Sequence, residues 1–156
     1  MNVISTVQDT KSPLHLDDLK VGLRFSSGCI LINERQMIDF ARQFDPQPFH
    51  LDAELAKHSI FGGLVASGWF TASVSMRLLL EGLPLATGTI GLGGETMQWP
   101  NPVMAGDQLH LEGEVINIRA SRSHNDRAVV TVQFSTYNQS NKSVFSNVGN
   151  LLVFRR

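Results

Sequence analysis

Asp45 and His50 are the two side chains whose types and spacing best suit acid–base chemistry in this chain. Pro46 and Pro48 stand between them. Proline fixes its own φ and disfavours a helical conformation in the residue before it, so Asp45 and Gln47 are predicted to be extended. A stiff segment holds a carboxylate and an imidazole in a fixed relation, as a general acid–base pair requires. An ordinary Asp-Pro turn followed by a strand end has the same spacing, so spacing alone leaves both interpretations open.

A second feature is the glycine-containing segment FGGLVASGW at residues 61–69, which leads into a long apolar run. Gly68 is predicted to lie at the start of a helix, where backbone N–H groups have no intrahelical acceptor and meet the positive end of the helix dipole. Such an N–H can stabilise a developing negative charge. Close packing of helix against sheet explains a glycine at this position equally well.

These motifs together resemble those of a known family. DPQPFH at 45–50 resembles the D-x-N-P-x-H motif of the MaoC-like dehydratases, which include the (R)-specific enoyl-CoA hydratases. The similarity continues through residues 61–69 and the PVMAGD turn at 102–107, and it covers residues 15–154. It implies an α+β hot-dog fold, in which a curved antiparallel β-sheet wraps a long central helix, and a homodimer.

The resemblance also implies a reaction, the reversible hydration of a trans-2-enoyl thioester to a 3-hydroxyacyl thioester by a hydro-lyase. The substrate would be an acyl-CoA or an acyl-carrier thioester, with no cofactor apart from the coenzyme A within the substrate. Asp45 and His50 would activate the attacking water, and Gly68 would bind the thioester oxyanion. Gln47 and Ser67 depart from the family pattern, which has asparagine and commonly histidine there, and these departures affect the expected substrate more than the reaction.

Other residues are candidates for substrate binding. Side chains around Gly68 would line an acyl channel, with core packing as the alternative for Trp69. Arg122 lies near Arg119 and Arg127, and guanidinium groups suit the CoA phosphates, although a solvated hairpin tip also explains this cluster. The predicted substrate-binding residues are Gln47, Phe61, Val65, Ser67, Trp69 and Arg122.

Two other functions remain open, a hot-dog acyl-CoA thioesterase and a non-catalytic acyl-CoA-binding domain. A serine hydrolase is disfavoured because Ser67 lacks the flanking glycines of a nucleophile elbow. No cysteine or histidine cluster has metal-ligand spacing. The glycines at 91, 93 and 94 lack the spacing of a dinucleotide-binding loop and are predicted to let a strand bend around the central helix.

Composition sets the remaining expectations. The 156 residues suffice for a single domain, predicted at 15–156 after a flexible segment at 1–14. The net charge of −1 gives no electrostatic case for a nucleic-acid partner. The single cysteine, Cys29, is expected to be buried and inert, and it fits a reducing, cytoplasmic location. The apolar run at 64–80 is shorter than the roughly 20 residues of a membrane span and predicts a buried helix instead.

The predicted elements follow from periodicity. Helical spacing predicts a helix that Asn33 caps and that ends at Phe44, a short helix capped by Asp52, and a long helix that ends at Gly82. Alternation shifts phase after Val115, which predicts a β-bulge. Strands are predicted over 24–32, 87–99, 108–119, 128–134 and 143–154.

Overall fold

A computed structural model of the protein describes residues 12–156. One long helix lies against an antiparallel sheet whose strands are arranged in the order β1-β4-β5-β6-β3, with β2 also paired to β4. This α+β arrangement confirms the expected hot-dog fold. After a single 3-10 turn at Leu16–Asp18, the elements are β1 (Arg24–Ser26), β2 (Ile30–Leu31), α1 (Glu34–Phe44), α2 (Pro48–Leu51), α3 (Ala53–Lys57), α4 (Gly68–Gly82), β3 (Ile90–Gln98), β4 (Gln108–Ala120), β5 (Arg127–Tyr137) and β6 (Ser143–Phe154).

The core lies between α4 and the sheet. Leu78 and Leu79 of α4 are fully buried or nearly so, and on β5 every second residue from Ala128 to Phe134 is buried. Successive side chains of a strand point to opposite faces, so this alternation directs one face of β5 at the helix. α4 begins at Gly68, four residues after the start of the apolar run at 64–80. Ser67 sets this start as the helix cap, because its hydroxyl accepts a hydrogen bond from the Trp69 N–H at 3.2 Å.

The pairing of the strands shifts register at several points of the sheet. The pairing of β4 with β5 shifts between Val115 and Asn117, which confirms the bulge predicted from the phase change. The glycines of β3 also coincide with register shifts against β6. A Cβ on Gly94 would lie 2.6 Å from the carbonyl oxygen of Val148 in β6. The close approach that requires glycine there is therefore to a neighbouring strand, and the predicted approach to the central helix is wrong.

Two expectations near the N-terminus need correction. The strand predicted over 24–32 is two short strands, interrupted at residues 27–29, each paired separately with β4. Cys29 lies in this interruption and is exposed, so the prediction of a buried thiol is wrong. Residues 1–11 of the segment predicted to be flexible lie outside the described residues, whereas Leu14 is hydrogen-bonded to Pro84 and bridges to Leu85.

The connection from α1 to α4 positions the chemistry. The Asn33 side chain accepts a hydrogen bond from the Gln36 N–H at 3.2 Å, and α1 ends at Phe44, as predicted. The chain then forms the short helix α2, which begins at Pro48 and carries His50. The alternative interpretation of this segment, a strand end, is therefore wrong. Asp52 then caps α3, as predicted, by accepting from two backbone N–H groups.

Candidate active site

The structure brings Asp45 and His50 together. Asp45 follows the last residue of α1, and His50 lies in α2, two residues beyond the second proline. The Oδ2 atom of Asp45 is 3.3 Å from Nε2 of His50, and both side chains are largely buried, with exposed fractions of 17% and 7%. The proline-containing bend therefore holds a carboxylate and an imidazole at contact distance in a partly desolvated site.

A backbone carbonyl fixes the tautomer of the histidine. The Nδ1 atom of His50 lies 2.8 Å from the carbonyl oxygen of Val65, which can only accept a hydrogen bond. Nδ1 therefore carries a proton, and in the neutral ring Nε2 has a free lone pair. This lone pair faces the Asp45 carboxylate, which is also an acceptor. Two acceptors so close need a shared donor, either a proton on Nε2 or a water molecule that donates to both.

Two neutral donors hold the carboxylate. Ser67 is fully buried, and its hydroxyl donates to Oδ2 of Asp45 at 2.7 Å. The Gln47 side-chain amide donates to Oδ1 at 2.6 Å. Burial raises the pKa of Asp45, but the bonds from Ser67 and Gln47 and the charge of His50 together outweigh burial, so the pKa lies below its ordinary value of 3.8. Asp45 is consequently ionised at neutral pH.

Gly68 occupies the first position of α4, where its N–H has no acceptor within the helix. The indole of Trp99 lies against it. The Trp99 Nε1–H donates to the Gly68 carbonyl oxygen at 2.7 Å, and a Cβ added to Gly68 would meet the indole at 3.1 Å. Glycine thus permits a close approach at the helix start, where the dipole favours negative charge. In the structure, the group that makes this close approach to Gly68 is the Trp99 side chain.

The pair opens onto a cavity of about 460 Å³. Asp45 and His50 are the only titratable side chains of the described residues that line it. Ser67 is absent from the lining because it lies behind Asp45, fully buried. Trp69 is 57% exposed, so it borders solvent and does not belong to the core. Of the predicted site residues, the structure places around this cavity Asp45, Gln47, His50, Phe61, Val65, Gly68 and Trp69.

Arg122 does not join this group. It is exposed on the loop between β4 and β5, over a separate depression formed by residues 121–126. Arg127 is held by both oxygens of Asp126, at 2.7 and 3.0 Å, so it is not a free partner for Arg122. A depression of about 550 Å³, larger than the cavity at Asp45, lies over β1, β4 and β5. Its ion pair, Arg24 with Glu114, is exposed to solvent, unlike the largely buried pair of Asp45 and His50.

Sequence reasoning missed Trp99 and Phe49 as cavity residues. Trp99 packs edge-on against Trp69, with ring centroids 5.5 Å apart, and also contacts the buried ring of Phe145. It comes from the end of β3, 31 residues beyond Gly68. The only sequence signal was its place before the Pro-Asn-Pro turn. Phe49 stands within the motif itself and packs against Phe61 at 5.3 Å.

Neither a metal site nor a membrane span is found in residues 12–156. These residues contain no group of three or more histidine, cysteine or acidic side chains placed to hold a metal ion. None of the helices in the same range combines the length and apolar character needed to cross a membrane.

Comparison with known proteins shows the family and the fold that this chain resembles. The sequence matches the family described as MaoC like domain over residues 4–138. It is 32% identical over 146 residues to YdeM of Bacillus subtilis, covering 91% of this chain and 100% of that protein. The crystal structure of the MaoC-like dehydratase from Rhodospirillum rubrum has a TM-score of 0.88 and 52% identity, covering 92% of this chain and 98% of that one. The structure of the R-hydratase PhaJ1 from Pseudomonas aeruginosa is similar, with a TM-score of 0.73 and 27% identity, covering 92% of this chain and 88% of that one.

Proposed function

The chain belongs to the MaoC-like dehydratase family, and from that premise we propose that it hydrates a trans-2-enoyl thioester reversibly to a 3-hydroxyacyl thioester. The observation that carries the proposal is the 3.3 Å approach of Asp45 Oδ2 to His50 Nε2 beside the cavity. The R-hydratase name of the Pseudomonas aeruginosa relative supports the reaction class. The (R)-hydratase from A. caviae, 26% identical with a TM-score of 0.69 and coverage of 88% and 98%, supports it as well.

We place the attacking water between the two acceptors. One of its hydrogens is donated to the Asp45 carboxylate and the other to Nε2 of His50, whose Nδ1–H is engaged by Val65. Asp45 is a weak base because its pKa is lowered. His50 therefore takes the proton as the water oxygen bonds to C3 of the thioester. The imidazolium then returns a proton to C2, so that the net change is the addition of one water molecule.

The negative charge that develops on the thioester oxygen needs a donor, and we assign this role to the Gly68 N–H. A preorganised backbone donor at an oxyanion contributes about 3 kcal/mol to transition-state stabilisation. Its position at the start of α4 adds the favourable end of the helix dipole. Phe61 and Val65 would contact the acyl chain, since both line the cavity.

A substrate panel tests the proposal. Purified protein is mixed with trans-2-enoyl-CoA thioesters of increasing chain length, and hydration is followed as the loss of absorbance of the conjugated thioester. The reverse reaction is followed with (R)- and (S)-3-hydroxyacyl-CoA. Hydration of at least one enoyl thioester is the expected result. Release of free thiol without loss of the double bond would instead indicate a thioesterase, and saturable binding without either reaction would indicate a non-catalytic acyl-CoA-binding domain.

We also propose a homodimer. β3 is the last strand of the sheet, paired on one side to β6, and its side chains Ile90, Leu92 and Met97 are between 42% and 53% exposed. An exposed apolar edge strand is a template for pairing with another chain. Sedimentation equilibrium of the protein and of Leu92→Lys tests this, since the dimer is expected to weaken in the variant. A monomeric parent protein would contradict the proposal.

A further inference from the structure

Gln47 stands where the related motif has asparagine, and the structure gives this longer side chain a specific contact. Its Nε2 donates to Oδ1 of Asp45 at 2.6 Å. Oδ2 of the same carboxylate accepts from Ser67 and faces His50. The two oxygens therefore have different partners, and Gln47 is the only side chain of the described residues that donates a hydrogen bond to Oδ1.

The local backbone explains why Gln47 reaches back to Asp45. The Gln47 N–H donates to the Asp45 carbonyl oxygen at 2.8 Å, which closes a tight turn over Pro46. Gln47 is itself extended, with φ −94° and ψ 146°, because Pro48 follows it. Although it precedes α2 at the cap position, its side chain makes no capping bond. The amide is thus directed at the carboxylate and away from the helix that it precedes.

The length of the side chain matters for this contact. An asparagine on the same backbone would be shorter by one carbon–carbon bond, about 1.5 Å. From a 2.6 Å donor–acceptor distance, an asparagine amide would fall outside hydrogen-bonding range without a change in the backbone. The glutamine therefore reaches Oδ1 of Asp45 on this backbone, and an asparagine at the same position is expected to lose the contact.

We propose that Gln47 is a positioning residue, which holds Oδ1 and thereby fixes the plane of the Asp45 carboxylate, so that the other oxygen stays directed at His50 and the attacking water. This inference rests on the proposed hydration reaction for its catalytic consequence, while the contact itself is independent of it. Ser67 holds only Oδ2, and a carboxylate that is held at one oxygen can still rotate about its Cβ–Cγ bond and tilt out of plane. Gln47, at the exposed side of Asp45, holds the second oxygen and so limits this rotation, and it also favours the ionised form.

The groups that face Asp45 come from three parts of the fold. They are Gln47 from the turn, His50 from α2 and Ser67 from the cap of α4. Among the described residues that line the cavity, no titratable side chain other than His50 is present to perturb the carboxylate. A change in its titration after substitution of Gln47 is therefore attributable to the lost amide.

The test combines a direct titration with kinetics in four variants. Carbon-13 NMR of the Asp45 carboxyl follows its ionisation in the parent protein, Gln47→Leu, Gln47→Asn and Gln47→Glu. Gln43→Leu, which changes an exposed glutamine outside the cavity, is the matched control. We expect the Asp45 midpoint to move to higher pH in the Leu and Asn variants and further in the Glu variant, with no movement in the control.

The kinetic readout is kcat for an enoyl-CoA substrate, with KM as its internal reference. Loss of a positioned charge-assisted bond is expected to reduce kcat about tenfold in Gln47→Leu while KM changes by less than about threefold. Wild-type titration and turnover in the Asn variant would overturn the proposal, as would an unchanged Asp45 titration in the Leu variant. If the parent protein hydrates no substrate, the titration still decides whether the contact exists, so failure of the reaction and failure of the contact are told apart.

Discussion

Ser67→Ala removes two interactions at once, and the structure allows the cost of each to be separated. The hydroxyl donates to the ionised Asp45 at 2.7 Å and accepts from the Trp69 N–H at 3.2 Å as the cap of α4. A hydrogen bond to a charged group contributes about 1.5–3 kcal/mol, and a helix cap about 1 kcal/mol. We expect the substitution to lower the free energy of unfolding by about 2.5–4 kcal/mol at neutral pH.

The two contributions depend differently on pH. The pKa of folded Asp45 lies below its ordinary value of 3.8, so the stability that it contributes is fully present above pH 3.8 and is lost as pH falls through the folded pKa. Without the serine donor, this pKa moves back toward its ordinary value. The difference in unfolding free energy between the parent protein and Ser67→Ala should therefore shrink at low pH toward the cap contribution alone, about 1 kcal/mol.

Urea unfolding of both proteins over a series of pH values measures this difference. Ser73→Ala is the matched control, because Ser73 is an exposed serine of the same helix whose hydroxyl donates only to the Trp69 carbonyl. We expect kcat to fall about tenfold or more in Ser67→Ala and to be retained in Ser73→Ala. Equal effects of the two substitutions, or a stability difference that does not change with pH, would refute the reasoning.

Three further predictions follow from exposure and close contact. Gly68→Ala should reduce kcat about tenfold to a hundredfold, because the new Cβ meets the Trp99 indole at 3.1 Å and displaces the oxyanion donor. Gly63→Ala is the control: a Cβ at Gly63 has open space around it, so the kcat of this variant should be near that of the parent protein. If the Arg122 guanidinium contacts the CoA phosphates, Arg122→Ala should weaken CoA binding without lowering Tm. Unchanged CoA affinity in calorimetry would show that Arg122 is not a substrate-binding residue. Cys29 should react fully with a thiol reagent in the native protein, with turnover retained; protection until unfolding would contradict its exposure.

Local sequence signals predicted those features that depend on near neighbours. The phase change after Val115 is visible in the alternation of side chains, so the bulge in β4 followed from it. The same is true of Asn33 and Asp52, which cap the helices that follow them. The two prolines around Gln47 placed the bend that brings Asp45 to its neighbours.

Features that depend on distant contacts could not be predicted in this way. Trp99 reaches Gly68 across 31 positions, and no periodicity marks such a pairing. The break at Cys29 arises because β1 and β2 each pair with a different part of β4, at Gly113 and Leu109 for example. The contact from Gln47 to Asp45 depends on side-chain length as well as position, so it needed coordinates.

The central claim, that Asp45 and His50 activate one water molecule, is tested most directly by the rate constant kcat of Asp45→Asn on the best enoyl thioester. This variant keeps the shape of the side chain and removes the charge that faces Nε2 of His50. Asp39→Asn, which changes a half-exposed carboxylate of α1 outside the cavity, serves as the control. We predict that Asp45→Asn lowers kcat by about 10²–10⁴ with its fold retained, while Asp39→Asn is unaffected. Turnover by a folded Asp45→Asn protein at the parent rate would contradict the claim.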